Sequence, residues 1–185
     1  MLSDIFIDFQ DDPRGRIAIG LVYSGCKRAM EGHPCVNCQN PHLWYPSPSQ
    51  DKDPRGEELY NMTYEGGGKM IDSIVVFGGE PFDQCPEEIL RDISHVGKHL
   101  RNTDVVVYTG YKTIEEATLA WRLERQEEVA PWDHPLLARA DWVKMGEYDE
   151  NIPPLPGSRL ASGNQKMFRV IKSEPTSPYL KEVFF

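Results

Sequence analysis

From Gly25 to Arg55 the chain sustains neither a helical nor a strand period, and Pro34, Pro41, Pro46, Pro48 and Pro54 interrupt every candidate element. About thirty irregular residues inside a compact domain need a physical reason, since their backbone groups gain nothing from a helix or a ladder. A bound ligand or metal is such a reason. The 185 residues are enough for one domain with a core of its own. They predict a single domain over 1–185 with the irregular loop at about 25–55 set into it.

The chain around that loop reads as α/β. Ile17, Ile19, Leu21 and Tyr23 alternate as a strand and run directly into Gly25 and Cys26. Residues 3–9 form a shorter apolar segment suited to an edge strand, and 57–64 a short helix. Ser73–Phe77, Asp104–Tyr108 and Ala140–Lys144 are short apolar runs of the kind buried strands show. Between them lie a helix over Pro86–Leu100, with Ile89, Leu90, Ile93, Val96 and Leu100 on one side, and a second from Thr113 to about Gln126. Thr113 with Glu116 three residues on forms a capping box. Crossovers of this length suit parallel pairing, so a mostly parallel sheet is expected. Residues 146–185 read as loop-rich. The strands end in Ser-Gly-Cys, Gly-Gly-Glu-Pro and Thr-Gly-Tyr, at the carboxyl ends where α/β folds place their sites.

Cys26, Cys35 and Cys38 fall within thirteen residues, and Cys35 and Cys38 have the two-residue gap that lets neighbouring thiolates serve one metal centre. From the residues alone several readings stand: ordinary thiols, a zinc site completed by His33, His42 or Cys85, a dithiol redox pair that leaves Cys26 unexplained, and an iron–sulfur cluster. Gly78-Gly79-Glu80-Pro81 reads equally as a tight turn, and Thr109-Gly110 as a strand end.

The run Gly25-Cys26, then Pro34-Cys35-Val36-Asn37-Cys38-Gln39-Asn40-Pro41 and Trp44, resembles the cluster loop of radical S-adenosylmethionine enzymes. It is most similar to the small activating proteins of anaerobic ribonucleotide reductase. Val76-Phe77-Gly78-Gly79-Glu80-Pro81, Val107-Tyr108-Thr109-Gly110-Tyr111, the strand from Asp141 to Lys144, and the run from Gly157-Ser158 to Asn164-Gln165 extend the likeness over most of the chain. One departure stands out. The family has three residues between its first two cysteines, and this chain has eight, Lys27 to Pro34. Loop closure costs grow slowly with length, so the insert leaves three-cysteine ligation feasible and changes the wall around it.

The resemblance implies a compact partial (β/α) barrel and a [4Fe-4S] cluster held by Cys26, Cys35 and Cys38. One iron is left open for S-adenosyl-L-methionine, with Gly78, Gly79, Glu80 and Pro81 at its methionine end and Tyr108, Thr109 and Gly110 at its adenosine side. Asn40 braces the loop and Trp44 packs it. The reaction implied is reductive cleavage to a 5′-deoxyadenosyl radical that installs a glycyl radical on a partner such as anaerobic ribonucleoside-triphosphate reductase. The electron comes from a flavodoxin- or ferredoxin-like donor. A small-molecule or peptide substrate, and a non-catalytic iron–sulfur or zinc interaction module, are the alternatives.

Charge narrows the partners. Lys and Arg number 20 against 29 Asp and Glu, a net charge of −9, which disfavours general binding to phosphate backbones. Four cysteines are too few for a disulfide scaffold. No run of eighteen apolar residues occurs, and the opening segment has an acidic flank, so the expectation is a cytoplasmic protein with neither nucleic-acid nor membrane partners.

Overall fold

Alternation along Ile19, Leu21 and Tyr23 sends those side chains to one face of a strand and Ala18, Gly20 and Val22 to the other, and all six are buried. A strand buried on both faces belongs in the middle of a sheet. The computed structural model describes residues 1–8, 12, 14–47, 70–98, 100, 102–125, 129–172 and 178–184. Within them seven strands form one open sheet in sequence order: β1 (Leu2–Asp8), β2 (Ala18–Tyr23), β3 (Ser73–Gly78), β4 (Asp104–Thr109), β5 (Trp142–Met145), β6 (Lys166–Ile171) and β7 (Tyr179–Val183). The expected helix at 57–64 lies outside the described residues.

The central pairings β2–β3, β3–β4 and β4–β5 are parallel. The outer pairings β1–β2, β5–β6 and β6–β7 are antiparallel. The expectation of a mostly parallel sheet therefore holds for its centre only, and the arrangement is an open mixed sheet. The two strands within 146–185 were illegible because their apolar residues do not alternate cleanly: β6 buries Met167 and Val170, three apart.

Among the described residues the α-helices are α1 (Lys27–Met30), α2 (Pro86–Gly97), α3 (Ile114–Ala117), α4 (Leu119–Arg125) and α5 (Pro135–Arg139). The expected single helix from Thr113 is split at Thr118. Its hydroxyl donates back to the Ile114 carbonyl at 2.8 Å, a local bond that competes with helix continuation. Thr113 does cap the start, accepting from the Glu116 N–H at 3.2 Å.

Ile89, Ile93 and Val96 of α2, Ile114 and Ala117 of α3, and Leu136 and Leu137 of α5 join Ile19, Leu21, Ile74, Val76, Val105, Val107 and Val143 in one core. Each Val, Leu or Ile side chain among them contributes about 1.5–3 kcal/mol on burial. Tyr23 reaches the same layer, and its hydroxyl donates to Asp92 of α2 at 2.9 Å. The opposite sheet face carries a smaller cluster of Ala18, Val75, Val106 and Met167, flanked by Phe77, Tyr108 and Trp142. At the amino ends of the parallel strands, Arg14 pairs with buried Asp12 at 2.6 Å and with Asp104. The Ser73 hydroxyl donates to Asp12 as well. Among the described residues no helix is long and apolar enough to cross a membrane.

Candidate metal centre

Parallel register brings the carboxyl ends of β2, β3, β4 and β5 to one edge of the sheet. The residues following them, Cys26, Gly79, Glu80, Gly110 and Gly146, line a cavity of about 460 Å³. Cys35, Cys38, Asn40, Gly78, Tyr108 and Thr109 line it too. Of the cluster and cofactor positions that the resemblance implies, only Pro81 is absent from the wall. It is buried behind Glu80, at the start of the turn Pro81–Asp83.

Close backbone approach explains the two glycines. Gly78 has φ +118°, and a Cβ there would stand 2.8 Å from the Tyr23 nitrogen. A Cβ on Gly79 would stand 2.8 Å from the carbonyl carbon of Gly25 and nearer still to its oxygen. The β3 turn is thereby laced to the strand end that carries Cys26. Gly79 N–H donates to Tyr23 at 2.6 Å and Glu80 N–H to Gly25 at 2.9 Å. The loop closes on itself through Gly25 N–H to Leu43 at 2.8 Å and Cys26 N–H to Trp44 at 2.9 Å.

The eight-residue gap holds structure that the sequence did not reveal. Cys26 opens α1, and the Asp83 carboxylate accepts from the Lys27 N–H at 2.7 Å. A turn then sets Cys35 and Cys38, with Asn37 at φ 49°. Val36 bridges to Asp149, and the Asn37 side chain donates to Glu150. The second and third cysteines are therefore pinned to the segment after β5.

Each sulfur meets a backbone N–H. Ala29 donates toward Cys26, Tyr148 toward Cys35, and Asn40 toward Cys38 at 3.4 Å. Asn40 thus braces the loop through its main chain. Burial pushes the Cys26 thiol up to about 11, with the Ala29 N–H opposing and Glu80 and Asp83 adding to the rise. Burial raises the Cys35 thiol too. Bare, the Cys26 and Cys35 thiols keep their protons, and metal binding displaces them. The indole N–H of Trp44, in the same wall, is buried without a partner among the described residues.

Glu80 is 2% exposed. It accepts from Gly110 N–H at 2.8 Å and from Phe82 N–H at 3.2 Å. Burial first, and Asp83 second, push its carboxyl up to about 8 despite those donors. A buried acid aimed into a cavity between two N–H groups is suited to a cationic guest.

Cys85 stands apart. It is exposed before α2, and its thiol lies 3.3 Å from Glu87. His33 and His42 are exposed and are not in the cavity wall. Among the described residues no three His, Cys, Asp or Glu side chains are grouped tightly enough to hold a metal ion. A four-iron cube takes each thiolate on a different iron, so its ligands stand wider apart than those of a single ion.

A family model for a 4Fe-4S single cluster domain matches residues 15–168. The chain belongs to the 4Fe-4S single cluster domain family. No curated protein and no solved structure matches it. For a member of this family the donor set fits the group in its chemistry: three cysteines line one cavity, each with an N–H at its sulfur, and hydrogen bonds of that kind tune cluster thiolates.

Sequence reasoning did not single out Arg28, Tyr148 and Arg159, which also line the cavity. Arg28 lies in the extra segment, where no motif marks it.

Proposed function

We propose that the chain holds a [4Fe-4S] cluster on Cys26, Cys35 and Cys38 and uses its open iron to bind and reductively cleave S-adenosylmethionine, acting on a small molecule or peptide segment admitted to the same cavity. The observation that carries this reading is the shared wall. The three cysteines and the buried Glu80 face one space of about 460 Å³, within the usual range for ligand pockets of about 300–1,000 Å³. A cluster that only fastened a fold or passed electrons has no need of that space.

When bound and reduced, the cluster supplies one electron that breaks the sulfonium carbon–sulfur bond, giving methionine and a 5′-deoxyadenosyl radical. The chain's own residues bind, orient and shield. Glu80 receives the ammonium of the methionine part, and that charge pulls its carboxyl back toward ionisation. Gly78 and Gly79 allow main-chain groups to approach the same end. Tyr108, Thr109 and Gly110 face the adenosine side. Trp44 and the insert close the cavity against water. The narrower version, glycyl-radical activation of a partner such as anaerobic ribonucleoside-triphosphate reductase with a flavodoxin- or ferredoxin-like donor in an anaerobic cytoplasm, is supported by the sequence resemblance alone.

Anaerobic reconstitution tests the proposal. About four irons and four sulfides per chain are expected, as one such cluster requires. Reduced protein given S-adenosylmethionine then releases 5′-deoxyadenosine and methionine, and Cys26→Ala, Cys35→Ala and Cys38→Ala each abolish release. A stable cluster that never cleaves the cofactor, or stoichiometric zinc, establishes the non-catalytic module instead.

A further inference from the structure

The insert between Cys26 and Cys35 carries Arg28 on α1, and the Arg28 side chain turns back into the cavity wall. Its guanidinium is held on two sides. Nη1 donates to the Gly110 carbonyl at 2.8 Å, and Nη2 pairs with Glu147 at 2.8 Å. It also lies over the Tyr111 ring at 5.9 Å. Gly110 is the hub of this corner. The point where a side chain on Gly110 would begin lies 3.4 Å from Arg28 Nη1, 3.5 Å from Cys35 Sγ and 3.6 Å from Glu80 Oε2. Cation, sulfur and carboxyl converge on one spot with no intervening side chain.

The Glu147 carboxylate is shared, since Lys112 Nζ sits 3.2 Å from its other oxygen. Arg28, Lys112 and Glu147 together therefore carry a net positive charge, and Arg28 is the member that faces the sulfur. Lys112 is mostly in solvent, at 67% exposure, whereas Arg28 is at 23%. Water screens the Arg28 charge least.

Reduction by one electron makes a thiolate-bound cluster more negative, and a fixed cation beside it favours the reduced form. Net charge, nearby dipoles and burial are the protein's means of setting such a potential. We propose that Arg28 is a positioning residue that raises the reduction potential of the cluster, with Glu147 as its counterweight, and that the insert serves to place this charge beside Cys35. This rests on the three-cysteine cluster proposed above and is independent of cofactor cleavage.

Three full-length variants, reconstituted anaerobically and titrated without S-adenosylmethionine, test it. The measurement is the midpoint potential, read from the EPR signal of the reduced cluster at matched iron content. Arg28→Gln shifts the midpoint to more negative values. Arg28→Lys keeps the charge and stays close to wild type. Glu147→Gln removes the counterweight and shifts the midpoint the opposite way. This last variant decides the matter even if Arg28→Gln fails to load iron. An unmoved midpoint in Arg28→Gln, equal shifts in the Gln and Lys variants, or a negative shift in Glu147→Gln each overturn the proposal. Unmoved potential with weakened S-adenosylmethionine binding assigns Arg28 to the ligand instead and overturns it too. Wild-type protein that takes up no cluster overturns the three-cysteine reading and this inference with it, whereas a loaded wild type with insensitive variants overturns the inference alone.

Discussion

Replacing Gly79 by Ala strikes the contact on which the cavity depends. The new methyl group would begin 2.8 Å from the Gly25 carbonyl carbon, and ordinary contact starts at 3.4 Å. The opposing atoms are backbone, so no side chain can swing away. The β3 turn and the Cys26 strand end must move apart. Gly25 oxygen then loses optimal contact with Glu80 N–H, now at 2.9 Å, and with Gln84 Nε2, now at 2.8 Å. Overpacking of this kind costs about 1–3 kcal/mol and each of the two weakened hydrogen bonds about 1 kcal/mol, giving about 3–5 kcal/mol in all. Urea unfolding of the apoprotein, followed by tryptophan fluorescence, measures the loss, and iron content after anaerobic reconstitution measures the displacement of Cys26. Gly97→Ala is the control. Nothing lies within 4 Å of its would-be Cβ, and in a helix the change stabilises by up to about 1 kcal/mol. A Gly79→Ala protein with wild-type midpoint and full iron loading would refute the reasoning, because the close approach would then place no constraint on the loop.

Three further outcomes are expected. Burial of His134 against Phe82 and Trp121, with neither ring nitrogen partnered among the described residues, holds its pKa down at about 4. The unfolded chain therefore takes up the proton first, and about 3 kcal/mol of stability present above pH 6.5 drains away as pH falls toward 4. Denaturation midpoints at pH 7 and 4.5 should diverge less in His134→Phe, and an identical divergence in both proteins would count against this. Asp12→Asn leaves Arg14, 5% exposed, without its buried carboxylate and costs about 3 kcal/mol. Burial pulls the Asp12 carboxyl up, but Arg14 and Ser73 outweigh it and hold the group below its usual range. The stability it adds is thus present above the unfolded pKa and is lost as pH falls through the folded one. Calorimetry that finds Asp12→Asn as stable as wild type at pH 7 argues that Asp104 alone satisfies Arg14. Cys85→Ala, at an exposed thiol outside the cavity wall, leaves iron content unchanged, and loss of iron would make Cys85 a fourth ligand.

The fold was legible where burial leaves a short-range pattern. Alternation from Ile17 to Tyr23 identified β2, and continuous apolar runs identified β3 to β5, because a strand buried on both faces needs apolar residues throughout. The spacing of Ile89, Ile93 and Val96 identified α2. β6 was not legible, because an edge-side strand covered unevenly has no such pattern to display.

The sequence by itself determined the candidate cysteines, glycines and acid. Cysteine spacing, glycines where backbones touch, and an acid directly after a strand are local chemical requirements, and local requirements are written as motifs. Only the tertiary structure decided where the charges stand. Arg28 meets Gly110 and Glu147 across 82 and 119 residues of chain, and Cys35 meets the Tyr148 N–H across a similar span. Nothing within a few residues of any of them depends on those meetings. Such contacts are made by the parallel register, which brings four strand ends together at one edge of the sheet.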